Sequence, residues 1–150
     1  MSRQNVEFAE ALLAAADLDK GELLAALPAI IEQNCDPEIE WSEDPGRADG
    51  AVRRGHAGVR ESWERWLDGF ERYRFEAERF IDCGENVLII GREVGQGAAS
   101  GAEVSSSINA VLTFRGGKLL RYSEFYDLAA AWQAAGVPEG PEPDAVPGPA

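Results

Sequence analysis

The sequence predicts an α+β domain in which helices cover one face of a curved antiparallel sheet. Three observations carry this. Apolar residues recur at helical spacing mainly in the first half of the chain, they alternate with period two in most of the second, and tight turns join the later strands. The elements follow in chain order.

Val6, Ala9, Leu12 and Leu13 share one stripe of a first helix over residues 5–16, with Asn5 placed to cap it. Asp17-Leu18-Asp19-Lys20-Gly21 interrupts the pattern. A second helix follows over 22–33 through Leu23, Leu24, Leu27, Ile30 and Ile31, and Pro28 within it either kinks the helix or splits it near Leu27. Asp36-Pro37 ends the helical region. Glu38-Ile39-Glu40-Trp41 then alternates acid with apolar residue, the mark of a short strand, and residues 42–50 read as a loop around Pro45, Gly46 and Gly50.

A third helix is expected from Val59 to about Arg72, with Val59, Trp63, Trp66, Leu67 and Phe70 along one side. Strands are expected over 73–81, 86–94, 104–114 and 119–127. A run of small residues, 95–101, makes one hairpin connection and Arg115-Gly116-Gly117-Lys118 a tight turn. Residues 129–135 read as a short closing helix stopped by Gly136. The order is thus α-α-β-α-β-β-β-β-α. From Val137 onward the chain holds five prolines, three acids and two glycines, so 1–136 is read as the domain and 137–150 as a disordered acidic tail.

With 150 residues, 45% of them hydrophobic, the chain is one domain with enough apolar surface for a core. Net charge is −13, and the first fifty residues, with three cations against twelve acids, supply −9 of it. Such a surface repels polyanions, so nucleic acid and anionic membrane are excluded as partners. No apolar run approaches bilayer length and the first residues lack the apolar segment of a secretory signal, so a cytoplasmic location is expected. Cys35 and Cys83 have no CxxC or Cys/His neighbourhood and His56 is the one histidine, so no metal site is expected and both thiols are read as reduced. Gly-rich phosphate loops, GxSxG elbows and zincin helices are all missing.

Several segments in order resemble the SnoaL-like family of the nuclear-transport-factor-2-like (ketosteroid-isomerase-like) superfamily. They are Asp36-Pro37-Glu38-Ile39-Glu40-Trp41, Gly55-His56-Ala57-Gly58-Val59-Arg60, Gly84-Glu85-Asn86-Val87, Ala99-Ser100-Gly101, the turn from Thr113 to Leu119, and Tyr126-Asp127 with Ala134-Ala135-Gly136. The resemblance implies a cone: three helices wrapped by a strongly bent sheet, a pocket at the wide end, and dimerisation through the outer sheet face. It also implies a choice among polyketide cyclases, isomerases, dehydratases, hydrolases and proteins without chemistry, so the site has to be argued residue by residue. Aligned on ketosteroid isomerase relatives, the base position falls on Trp41, the protonated Asp on Ala110, and the first-helix Tyr near Phe8 or Ala9. None can do the family's proton chemistry, and steroid isomerisation by that mechanism is rejected.

Strand alternation then orders the candidates. With Ala110 inward, so are Val104, Ser106, Ile108, Leu112 and Phe114. Similar registration points Leu88, Ile90, Arg92 and Val94 inward, together with Leu120, Tyr122, Glu124 and Tyr126. The expected interior is apolar with two ionisable exceptions, Arg92 and Glu124. Either this pair orients a carbonyl and exchanges a proton, or it is a structural ion pair, or one strand is out of register. Asp44 is a second candidate base on the loop. Trp41 and Trp63 offer flat walls to a ring-shaped ligand, Tyr122 a hydroxyl, and Ile90, Ile108, Leu112 and Tyr126 apolar lining. His56 is an acid–base candidate by type, and a helix-capping residue by position. Ser105, Ser107, Asn109 and Thr113 lie on the opposite sheet face, available to a second copy in a homodimer. The sequence therefore reads as a small-molecule-binding protein, possessing at most cofactor-free acid–base chemistry on an apolar or polyketide-like substrate. The competing reading is a non-catalytic binding or dimeric accessory protein whose aromatic residues fill the cone.

Overall fold

The computed structural model describes residues 2–47 and 50–137, and the expected tail lies almost wholly outside them. Helices α1 (Ser2–Ala15) and α2 (Lys20–Asn34) lead into β1 (Cys35–Ser42) and β2 (Val52–Arg54). Helix α3 (Gly55–Asp68) precedes four long strands, β3 (Phe70–Cys83), β4 (Asn86–Gly97), β5 (Glu103–Arg115) and β6 (Lys118–Phe125), and α4 (Leu128–Ala134) closes the domain. The α+β class and its order of elements are as read from the sequence, with one strand added. No helix among the described residues is long and apolar enough to cross a membrane.

Local chemistry explains most boundaries. Asp19 caps α2 by accepting from the Glu22 N–H at 2.9 Å, and Lys20 Nζ donates to the Phe70 carbonyl at 2.6 Å, tying the helix to β3. Leu23, Leu27 and Ile31, four residues apart, form the buried stripe of α2. Pro28 sits on its exposed side and the helix runs through unbroken, so the split near Leu27 does not occur. Helix α1 begins at Ser2, which leaves Asn5 inside it rather than at its cap. Helix α3 starts at Gly55, earlier than the apolar stripe predicts. Gly55 has φ +72°, a conformation that costs a glycine little, and this lets β2 turn directly into the helix.

The strand order is β2-β1-β6-β5-β4-β3. All neighbours are antiparallel except β1 and β6, which are parallel, so the sheet is mixed where the sequence predicts a purely antiparallel one. The pairing joins the first and last long segments of the domain, which no hairpin connects. β2 was hidden because Val52-Arg53-Arg54 is too short to show alternation; it is held by register with β1 and by a 2.7 Å Arg54–Glu40 ion pair.

The main core lies between the helices and the inner sheet face. Val6, Ala9, Leu27 and Ile31 meet Ile39, Trp41, Ile89, Ala110, Leu112 and Leu119 there. A second core lies on the outer face, where Leu128, Ala131 and Trp132 of α4 pack on Leu88 and Val111. β4 is therefore covered on both sides near its start: Val87 and Ile89 face the helices, Leu88 faces α4. Asn86 links the two ends, donating to the Ala135 carbonyl at 3.2 Å and accepting from Thr113 Oγ1 at 2.6 Å.

Farther along β4 the inward positions are Gly91, Glu93 and Gly95. A methyl group on Gly91 would lie 2.6 Å from the Glu76 carbonyl oxygen and 2.6 Å from the Phe75 ring, so the glycine lets that ring lie across the strand. Gly91→Ala is expected to lower stability by about 1–3 kcal/mol, read as a lower urea midpoint at unchanged slope. An unchanged midpoint would mean that the Phe75 ring is not held there.

Candidate functional site

The helices and the inner sheet face enclose a cavity of about 120 Å³. Its helical wall includes Leu12, Leu27, Ile31 and Val59, its sheet wall Ile89, Ala110, Leu112 and Leu119, and six aromatic residues (Trp41, Trp63, Trp66, Tyr73, Phe75 and Tyr122) complete most of the rest. That volume matches the space needed for about one aromatic ring. Arg47, Glu93 and Glu124 are the buried charged residues in the lining. An outer hollow shares Trp66, Tyr73 and Glu93 with this cavity and continues to Gly95, Ser106 and Tyr126.

Arg47 comes from the loop between β1 and β2. Its Nη1 contacts Glu124 Oε1 at 2.5 Å, both side chains are over nine-tenths buried, and the guanidinium lies over the Trp66 ring, 4.1 Å from its centre. Burial works against the charge on Arg47, but Glu124 and then Glu43 outweigh it, and the group titrates above its ordinary value. Glu124 also accepts from the Asp44 N–H and the Tyr122 hydroxyl, each at 3.2 Å. Tyr122 in turn stacks on Trp41, ring centres 3.8 Å apart and planes 13° from parallel. Glu43 anchors the other side of the loop, accepting from Ser62 Oγ at 2.5 Å, Arg53 Nε at 3.2 Å and the Ala51 N–H at 3.1 Å.

Glu93 differs in kind. It is 9% exposed, and the Tyr73 hydroxyl donates to its Oε1 at 3.2 Å. Burial, then the nearby Glu124 charge, push its carboxyl up to about 7, against the smaller pull of Tyr73 and Arg47. Near neutral pH it is therefore divided between acid and base. Burial, followed by the neighbouring glutamates, also drives the Tyr73 and Tyr122 hydroxyls well above their ordinary range, so both stay protonated donors. Cys35, in the cavity wall, is pushed by burial to about 12 and is a neutral thiol. No group of three or more His, Cys, Asp or Glu among the described residues could hold a metal ion.

Of the residues singled out from the sequence, Trp41, Trp63, Leu112, Tyr122 and Glu124 line the cavity, and Tyr126 lines the outer hollow. Arg92 does not. It is exposed on the outer face, donating to Ser105 Oγ at 3.0 Å, and the expected Arg92–Glu124 pair does not form. Ile90 faces α4, by the same one-residue error in β4. The hairpin register shows why: Arg92 lies opposite Ser107 and Val94 opposite Ser105, so they share the face of those serines, while Ile89 lies opposite Ala110. In β6 a bulge at Leu120 puts Leu119 inside instead. Ile108 is fully buried but outside the cavity wall. Asp44 spends its carboxylate on the Gly46 and Tyr126 N–H groups, at 2.6 and 2.9 Å, and so shapes the loop. His56 lies outside the cavity lining, its Nε2 2.8 Å from the Cys35 carbonyl oxygen.

Sequence reasoning missed Glu93 and Arg47. The Gly-x-Glu-x-Gly spacing of Gly91, Glu93 and Gly95, set against the Ser105 and Ser107 face across the hairpin, was the available signal for Glu93. Arg47 had none, because a loop residue has no periodicity.

A bent sheet closing on three helices around an apolar interior is the architecture of the nuclear-transport-factor-2-like superfamily. The sequence model for the SnoaL-like domain matches residues 7–122, and the chain belongs to that family. Solved structures agree in fold. An NTF2-like protein from Burkholderia thailandensis is 22% identical, with 90% of this chain and 97% of that one covered and a TM-score of 0.69. TerC, crystallised with polyporic acid, is 21% identical over 88% of this chain and 98% of its own, with a TM-score of 0.68. A protein from Jannaschia sp. CCS1 named after SnoaL-like polyketide cyclases is 18% identical over 93% and 94%, with a TM-score of 0.66. No curated protein gives a significant match.

The raised Glu93 carboxyl has a consequence for stability. Its proton is held more tightly folded (about 7) than unfolded (ordinary value 4.5), so its contribution is complete below 4.5 and is lost as pH rises through 7. The gap corresponds to about 3 kcal/mol. Glu93→Gln is expected to flatten the decline in melting temperature between those pH values and to melt higher than the parent at pH 8. Parallel curves for the two proteins would show that Glu93 titrates normally.

Proposed function

We propose that this chain binds a small, largely apolar organic molecule in the cone and acts on it by cofactor-free acid–base chemistry. Isomerisation, cyclisation, dehydration and hydrolysis are the reactions in reach. The observation that carries the proposal is Glu93: a carboxyl balanced between acid and base near neutral pH, opening on an apolar cavity beside an ion-paired carboxylate, Glu124. As a base, Glu93 takes a proton from the carbon beside a carbonyl. The acid so formed returns that proton at another carbon, or to a departing hydroxyl that leaves as water. Tyr73 orients Glu93, and the Arg47–Glu124 pair keeps a fixed charge pattern next to it. Trp41 and Trp63 supply flat walls for a ring-shaped substrate. The polyporic acid in TerC and the polyketide-cyclase naming of the Jannaschia relative agree with an oxygenated aromatic substrate.

The competing reading, a dimeric accessory module with a filled cone, draws on the Trp41–Tyr122 stack, which occupies part of the interior. Native mass spectrometry of the protein from its own host separates the two. A retained mass of a few hundred daltons identifies the compound to test for turnover, and a clean apo protein favours the filled cone. With that compound, Glu93→Gln is expected to lower turnover by about a hundredfold or more while the compound stays bound. Unchanged turnover would remove Glu93 from the mechanism.

The reading includes a homodimer through the outer sheet face, on the part where Arg92, Ser105 and Ser107 are exposed. Sedimentation equilibrium is expected to give twice the chain mass at micromolar concentration, and a monomer would eliminate this contact.

A further inference from the structure

Buried donors are almost always paired, so the exceptions are informative. Among the described residues three buried side-chain donors lack a partner: Arg47 Nε, Trp66 Nε1 and Trp132 Nε1. Trp132 belongs to the outer core under α4 and lines neither the cavity nor the outer hollow. The other two both belong to residues of the cavity wall, and their planar groups lie against one another, the Arg47 guanidinium 4.1 Å from the centre of the Trp66 ring.

The nearby carboxylates already accept from other donors, and the Tyr73 hydroxyl oxygen, which interacts with the Trp66 side chain, makes no hydrogen bond of ordinary geometry to its Nε1. Glu124 takes Arg47 Nη1, the Asp44 N–H and the Tyr122 hydroxyl. Glu43 takes Ser62, Arg53 and the Ala51 N–H. Glu93 takes the Tyr73 hydroxyl. The Arg47 side chain is only 8% exposed, so bulk solvent does not solve the problem either. What the two N–H groups lack is an acceptor that enters with an apolar body.

We infer that Arg47 Nε and Trp66 Nε1 form an acceptor-oxygen subsite, and that the molecule bound in the cone carries a carbonyl or enolate oxygen seated on them. The inference rests on the small-molecule reading of the cavity and adds the functional group by which the ligand is recognised. Trp66 borders both the cavity and the outer hollow, as does Glu93, so an oxygen held there places the carbon next to a carbonyl on the Glu93 side.

The test compares acetophenone with ethylbenzene, which share ring and shape and differ chiefly in the oxygen. Water solvates the ketone better, so a cavity lacking donors would favour the hydrocarbon. The four indole N–H groups of the chain are followed in a ¹⁵N–¹H correlation spectrum, that of Trp66 being assigned by its loss in Trp66→Phe. Acetophenone is expected to bind about tenfold tighter and to move the Trp66 signal while that of Trp132 stays put. In Trp66→Phe the preference should shrink several-fold, with ethylbenzene binding retained. Equal affinities, or a Trp66 signal unmoved by bound acetophenone, would overturn the subsite while leaving the apolar cavity standing. If neither compound binds, the small-molecule reading falls and the subsite with it.

Discussion

A carboxylate taken out of water must find compensation or give up its charge, and the site depends on how Glu124 solves that problem. Its partner Arg47 is drawn from a loop 77 residues earlier in the chain. The cost of burying both ions is large, and it is offset by further hydrogen bonds from Tyr122 and Asp44 to the same carboxylate. Arg53, Ser62 and Ala51 do the same for Glu43. A loop that would otherwise hang free is thereby fastened across one end of the cone at several points. The interior can then stay apolar while its rim is ionic.

The fastening leaves Glu93 the odd one out. Three glutamates meet around Arg47 and Arg53, and the two that find cations are Glu43 and Glu124. The third has a tyrosine hydroxyl instead. It lies in the field of Glu124, and a proton is its cheapest counter-charge. The same ionic order that stabilises the loop thus leaves one carboxyl raised to about 7. One arrangement of charges both fastens the loop and, with burial, raises the Glu93 carboxyl.

Legibility in the sequence followed physical periodicity. The helices and β3, β5 and β6 could be read because each repeats its apolar residues at the period of its backbone, β1 from four alternating residues, and β4 as a continuous β-branched and apolar run. β2 could not, at three residues. The inner faces of β5 and most of β6 came out correctly because their alternation is clean. β4 failed because α4 buries its other face too, making Val87 to Ile90 apolar throughout and erasing the parity signal. The site suffered most from this: Glu124 was legible, Glu93 was one residue away from Arg92, and Arg47 lay in a segment whose position is set by long-range ion pairs and hydrogen bonds.

The parallel pairing of β1 with β6 carries a further consequence. Trp41 meets Tyr122, and Asp44 meets Glu124, across some eighty residues of intervening chain. During synthesis the helices and the β3–β4–β5 meander can form from local contacts, but the half of the cone that holds the ionic rim has to wait for the final strand. A nascent chain stopped before Tyr122 would carry Glu43, Glu93 and both arginines without Glu124, the carboxylate that pairs with Arg47. The ionic rim of this fold is therefore assembled last, and every earlier intermediate on the ribosome is a scaffold with an open seam.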